Sequence, residues 1–173
     1  MPPEPGAQDT ALPQTYEQRR GPADDSIDHG ILHEFVGLYL RVAYEAAYAD
    51  FTRRLGPEAL KAGYFTILTL IVRNPRISQT QIGHASARDK STVTNALRWM
   101  EDEGLITRLK SAHDRRAQLS VATEKGIAMQ ARMEAKALAH LDALNSAVGD
   151  ANFAPFIATL KRMAERLQTP DED

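Results

Sequence analysis

The stretch Arg88-Asp89-Lys90-Ser91-Thr92-Val93-Thr94-Asn95-Ala96-Leu97-Arg98-Trp99-Met100-Glu101-Asp102-Glu103-Gly104 decides the fold. Val93, Leu97 and Met100 recur at steps of four and three, with Ala96 beside them, which gives one apolar helix face. Ser91, Thr94, Asn95 and Arg98 fall on the opposite face, and Lys90 stands at the N-terminal end. The spacing predicts a helix from about Asp89 to Glu103, closed by Gly104 as a C-terminal cap. Just upstream, Ser78 to Ala85 reads as a shorter helix, with Ser78 as its N-cap and Ile82 as its core contact. Two short helices joined through the small residues Ser86-Ala87 form a helix-turn-helix arrangement.

The polar face of the longer helix offers hydroxyls, one amide and one guanidinium. Asn pairs two-fold with adenine, Arg pairs with guanine, and Ser and Thr reach phosphates or base edges. Lys90, Ser91, Thr92, Thr94, Asn95 and Arg98 are therefore candidate DNA contacts, with Lys90 and the free N–H groups of the first turn expected to hold a phosphate. The same pattern fits the solvated face of any amphipathic helix, so the next segment carries the decision. Leu105–Lys110 and Ala117–Ala122 read as two strands around a polar tip containing Asp114-Arg115-Arg116. A basic, exposed tip suits a narrow minor groove, which attracts guanidinium groups. Asp114 is either a brace for one of these arginines or a plain turn residue. Residues 73–118 hold nine basic and five acidic groups, a local excess of four positive charges on a chain of net charge −2.

Working outward, residues 1–25 contain five prolines and two glycines without an apolar period, and are expected to be a disordered or extended N-terminal arm. From Ile27 to Leu55 two apolar stripes run side by side, one through Ile31, Phe35, Leu38 and Val42 and one through Leu32, Val36, Tyr39 and Ala43. A helix apolar over so wide an arc has more than one face to bury, one in its own domain and one against a second chain. Ala59 to Arg73 is a second helix, with Phe65, Leu68 and Val72 on one face. Thr123 caps a long fifth helix to about Val148, and a final helix covers about Ala151 to Leu167. The expected organisation is residues 26–58 and 124–168 as dimerisation helices around a winged helix at 59–123. There are no cysteines, which excludes disulfides, thiolate nucleophiles and cysteine redox sensing. Neither a secretory leader nor an apolar run near the roughly 18 residues of a membrane span is present, so a cytoplasmic location with no membrane association is expected.

The run Ile77-Ser78-Gln79, then Lys90-Ser91-Thr92-Val93-Thr94, then Met100-Glu101-Asp102-Glu103-Gly104-Leu105-Ile106, then Asp114-Arg115-Arg116 and Thr123-Glu124-Lys125-Gly126, resembles the MarR family of winged-helix regulators over roughly residues 60–128. The resemblance implies a mostly α fold, a winged helix-turn-helix with a two-stranded wing and N- and C-terminal helices forming a dimerisation domain. It implies a homodimeric repressor on a palindromic double-stranded DNA operator, released by a small-molecule effector. In the family's Asp-x-Arg wing motif, Asp114 takes the bracing position and Arg116 the minor-groove position. Ala122 departs from the leucine usual before the Thr-Glu-x-Gly turn, which bears on local packing. The form Arg88-Asp89-Lys90-Ser91-Thr92-Val93-Thr94 is similar to a branch that controls aromatic-acid and hydroxycinnamate catabolism, where the effector is an aromatic acid or its coenzyme A thioester.

The resemblance makes His33, Tyr39, Arg41, Tyr44 and Tyr64 the candidate effector contacts, with Arg41 or His33 facing a carboxylate. The tyrosines also fit plain core and interface positions. His29 and His33, four apart, lack an evident third ligand, so no metal and no cofactor is expected. Catalysis is not expected either, since no Ser-His-Asp order with supporting motifs, no glycine-rich phosphate loop and no paired carboxylates in an apolar setting stand out. The alternative function is a winged-helix protein-interaction module without specific DNA binding.

Overall fold

A computed structural model describes residues 27–57, 60–110 and 118–168. The expected arm at residues 1–25 and the wing tip with Asp114, Arg115 and Arg116 lie outside the described residues. The chain divides into two compact units, Met1–Ala49 and Asp50–Asp173.

In the N-terminal unit the single helix expected from Ile27 is interrupted. A 3-10 turn occupies Gly30–Glu34, Phe35 is extended (φ −81°, ψ 93°), and helix α1 runs over Val36–Leu55. Asp28 accepts from the Gly30 N–H at 2.8 Å, and Gly30 itself adopts φ +49°, a backbone state that suits glycine. Both apolar stripes lie on the surface of this unit. Ile31 is 81% exposed, and Phe35, Val36, Tyr39 and Tyr44 are exposed as well.

The second unit begins with the last turn of α1. Asp50 accepts from Arg54 Nε at 2.6 Å and from Arg53 at 2.7 Å, and it pairs with His140 Nδ1 at 2.8 Å. The Arg54 and His140 contacts hold its carboxyl down to about 2. Phe51 stacks on the His140 ring at 5.0 Å, and Lys136 donates to the Leu55 carbonyl at 2.6 Å. Helix α2 covers Ala62–Arg73, later than the start expected at Ala59 because Lys61 is non-helical (φ −50°, ψ 138°). Its deepest face is Ile67, Leu68 and Ile71, while Phe65 and Val72 are only half-buried.

Asn74-Pro75 ends α2, and Arg76 turns the chain with φ +71°. Strand β1 (Ile77–Ser78) follows, then α3 (Gln79–Ser86), α4 (Lys90–Asp102), β2 (Ile106–Lys110) and β3 (Gln118–Ala122). The sheet is antiparallel in the order β1-β3-β2, with Ile77 opposite Ser120 and Ile106 opposite Ala122. The two wing strands form where the sequence predicts them. The third strand was not expected, and it forms because Arg76 N–H and Ile77 reach the buried Ser120 of β3. Ile67, Leu68, Ile71, Ile82, Val93, Leu97, Met100, Leu105 and Ile106 make the core of this unit.

Helices α5 (Glu124–Val148) and α6 (Asp150–Gln168) complete it. The first turn of α5 sits directly on the backbone at the base of the wing. Thr123 Oγ1 caps the Gly126 N–H at 3.1 Å and also reaches the Gly104 carbonyl at 2.8 Å. A Cβ at Gly126 would lie 2.0 Å from the Leu105 carbonyl oxygen, so only glycine allows this approach. No residue of α6 is buried, and Phe156, Ile157 and Leu167 are exposed. Among the described residues, no helix is long and apolar enough to cross a membrane.

Candidate nucleic-acid interface

The short helix α3 is held at its start by a capping box. The Ser78 side chain accepts from the Gln81 N–H, and the Gln81 side chain accepts from the Ser78 N–H at 3.0 Å. It ends in a left-handed residue, Ala87 (φ +51°), whose N–H reaches the Gly83 and His84 carbonyls. The Arg88 N–H also donates to the Gly83 carbonyl, at 3.1 Å. This two-residue turn aims α4 across α3.

Helix α4 presents the faces its sequence predicts. Val93, Ala96, Leu97 and Met100 are fully buried, while Ser91, Asn95 and Arg98 form an exposed row opposite them. Thr94 is displaced from that row. Its hydroxyl donates to the Lys90 carbonyl at 2.7 Å and accepts from Gln79 Nε2 at 2.7 Å, so it ties α4 to the first turn of α3.

Asp89 is the N-cap. Its Oδ1 accepts from the Thr92 N–H at 2.8 Å and from Ser91 Oγ at 2.5 Å, and its Oδ2 accepts from Thr92 Oγ1 at 2.6 Å. The Ser91 and Thr92 hydroxyls, then the Thr92 N–H, hold its carboxyl well below the usual carboxylate range. The Thr92 N–H expected to be free for a phosphate is thus occupied by a carboxylate. Lys90 remains exposed and belongs instead to a groove of about 670 Å³. Thr80, His84, Arg88, Arg108 and Gln118 also line this groove between α3, α4 and the wing strands. Arg108 additionally faces Glu101 at 3.9 Å.

Sequence reasoning missed Asp89, Gln79, Thr80 and His84. Asp89 carried the one available signal, an acid immediately before the periodic residues, which is an N-cap signature. The groove residues come from α3, α4, all three strands and the end of α6, and have no common spacing.

His33, Tyr39, Arg41 and Tyr44 lie in the N-terminal unit and Tyr64 in the other. Tyr39 donates its hydroxyl to the His33 carbonyl at 2.9 Å, and the His29 and His33 rings are 5.4 Å apart. The Tyr44 ring lies 6.1 Å from that of Tyr48. Tyr64 touches α4 instead, its ring 5.5 Å from that of Trp99, with Lys61 Nζ 5.8 Å from the Tyr64 ring.

Residues 60–117 match the family model described as MarR family. A protein of Thauera aromatica, named for transcriptional regulation of the hcr operon, is 29% identical over 136 residues, covering 78% of this chain and 82% of that protein. The structure of the transcriptional repressor CouR bound to a 23-mer DNA duplex is 29% identical, with a TM-score of 0.72, covering 80% of this chain and 98% of CouR. CouR bound to p-coumaroyl-CoA is 28% identical, with a TM-score of 0.71, covering 80% of this chain and 97% of CouR. These are transcription regulators, not enzymes. In its matched domain, its helix-turn-helix and its three-stranded wing sheet, the chain is similar to the MarR family of winged-helix regulators.

Proposed function

We propose that the chain is a homodimeric DNA-binding transcriptional repressor, released from a palindromic operator by a small aromatic acid or its coenzyme A thioester. The observation that carries this reading is the likeness to CouR at 29% identity, in a fold that CouR uses on a DNA duplex. The exposed Ser91, Asn95 and Arg98 row and the groove with Arg88, Lys90 and Arg108 supply matching chemistry for bases and phosphates. In this reading Asp114 braces Arg116, with Arg115 beside it, in the minor groove. Residues 26–58 and 124–168 form the dimer. The exposed apolar side chains of α1, α5 and α6 favour a second copy as their cover, since monomers rarely leave such surface bare. Two recognition helices then enter successive major grooves about 34 Å apart.

The likeness to CouR with p-coumaroyl-CoA supports the effector class. His33, Tyr39, Arg41, Tyr44 and Tyr64 are the proposed effector contacts. Tyr64 has a route to the DNA, because its ring rests against Trp99 of α4. The chain works in the cytoplasm and needs no cofactor.

The test is a binding titration of the full chain on duplexes taken from beside its own gene, with rising salt. A DNA reader loses affinity steeply as salt rises, through counterion release. Arg116→Ala weakens binding by at least about tenfold while the dimer stays folded. Unchanged affinity at physiological salt overturns the wing assignment. Absence of specific DNA binding overturns the repressor reading in favour of a protein-interaction module. Adding p-coumarate or p-coumaroyl-CoA to the bound complex then tests release, and a complex indifferent to both refutes the effector class.

A further inference from the structure

The hydrogens of the recognition-helix hydroxyls are already directed. Asp89 is ionised and therefore only accepts. In the 2.5 Å contact between Ser91 Oγ and Asp89 Oδ1, Ser91 must therefore be the donor. The same holds for Thr92 Oγ1 at 2.6 Å from Asp89 Oδ2. Thr94 has donated its hydrogen to the Lys90 carbonyl. Ser91 is the exposed one of the three, in line with Asn95 and Arg98. A free serine hydroxyl donates or accepts as its partner requires, but this one has only lone pairs left to offer outward.

We propose that Asp89 fixes Ser91 as a hydrogen-bond acceptor, so that the first exposed position of α4 selects an amino-bearing base, adenine or cytosine, on the strand it faces. The major-groove edge supplies the discrimination. Adenine N6 and cytosine N4 donate there, whereas guanine O6 and thymine O4 accept and would meet the Ser91 lone pairs unfavourably. Asp89 is a positioning residue in this scheme: it acts through Ser91. The inference rests on the DNA-reading function proposed above.

Three variants of the full chain separate this role from folding and from charge. Asp89→Gly removes the acceptor and frees the Ser91 hydrogen, at little cost to the helix, since glycine is tolerated at an N-cap. Asp89→Asn keeps a side-chain oxygen at the Oδ1 position, so Ser91 still donates inward, while the negative charge is lost. Ser91→Ala removes the reader. Each is used with wild type to select binders from a randomised duplex library, and thermal unfolding is followed in parallel.

Wild type is expected to enrich adenine or cytosine over guanine or thymine at one strand-resolved position in each half-site, by about tenfold. Asp89→Asn keeps that preference and tightens binding to all sequences through the lost negative charge. Asp89→Gly tightens binding likewise but flattens the preference, as does Ser91→Ala. Wild-type enrichment that survives unchanged in Asp89→Gly and Ser91→Ala overturns the inference and leaves the DNA-reading function standing. A wild-type chain that enriches no sequence overturns the function itself, and the inference with it.

Discussion

Gly126→Ala is the sharpest test of how the wing is attached. A methyl at this position would sit 2.0 Å from the Leu105 carbonyl oxygen and 3.0 Å from the Leu105 carbonyl carbon. Both are backbone atoms of a residue only 1% exposed, so no side chain can swing aside. The first turn of α5 and the start of β2 must separate by about 1 Å or more to restore an ordinary contact. That movement strains the bonds from the Thr123 N–H (3.0 Å) and Thr123 Oγ1 (3.1 Å) to the Leu105 carbonyl. Overpacking of this kind costs about 1–3 kcal/mol. Loss of a helix N-cap adds about 1 kcal/mol. Alanine's better helix propensity offsets about 1 kcal/mol. The expected net destabilisation is about 1–3 kcal/mol.

Urea unfolding at fixed protein concentration measures it, and a lower midpoint with an unchanged slope is the expected result. Operator affinity should fall as well, because β2 leads directly into the wing. A midpoint equal to or above that of wild type would refute the reasoning. It would mean that helix propensity outweighs the clash and that α5 does not press on the wing base.

Two other substitutions follow from the same geometry. Asp50 titrates at about 2 in the folded chain, below its ordinary 3.8, so its stabilisation is present at neutral pH and is lost as pH falls from about 4 through 2. Asp50→Asn should cost about 1–2 kcal/mol at neutral pH and remove that loss from the acid limb, read by urea midpoints between pH 2 and 7. An acid limb identical to wild type excludes Asp50 as its source. Thr94→Val should cost about 1 kcal/mol, because the half-buried Gln79 amide loses its shorter hydrogen bond and keeps only the 3.5 Å contact to the Lys90 carbonyl, while sequence preference on DNA is retained. A changed base preference at unchanged stability would put the Thr94 hydroxyl on the DNA instead.

The core face of α4 was legible because Val93, Ala96, Leu97 and Met100 repeat at the helical period and are all buried. The caps at Ser78 and Thr123 were legible because each precedes a periodic run and accepts from the N–H three residues on. β1 was not, since two residues are too few to display a strand period, and its pairing depends on the φ of Arg76. The break at Phe35 was hidden because the apolar stripes continue through it without a change of phase. Trp99 against Tyr64 joins two elements 35 residues apart in the chain, and nothing local announces it. The residue types of the recognition face were readable. The direction of their hydroxyl hydrogens was not, because it depends on where the Asp89 carboxylate points.

That direction changes what α4 can read. Its N-terminal half is tied to α3 through the Gln79–Thr94 bond. Its C-terminal end is held by Lys125, which donates to the Glu103 carbonyl at 2.5 Å, and by Glu101 facing Arg108 of the wing. With both ends fixed and Thr92 and Thr94 occupied, Ser91, Asn95 and Arg98 remain as the outward row. Along the helix these offer an acceptor, an amide that both accepts and donates, and a donor. From Ser91 to Arg98 the axis rises roughly 10 Å, about three base-pair steps of 3.4 Å. An amino-bearing base, then adenine, then guanine is the order that such a row complements, so each half-site should carry its information in a core no longer than about four base pairs.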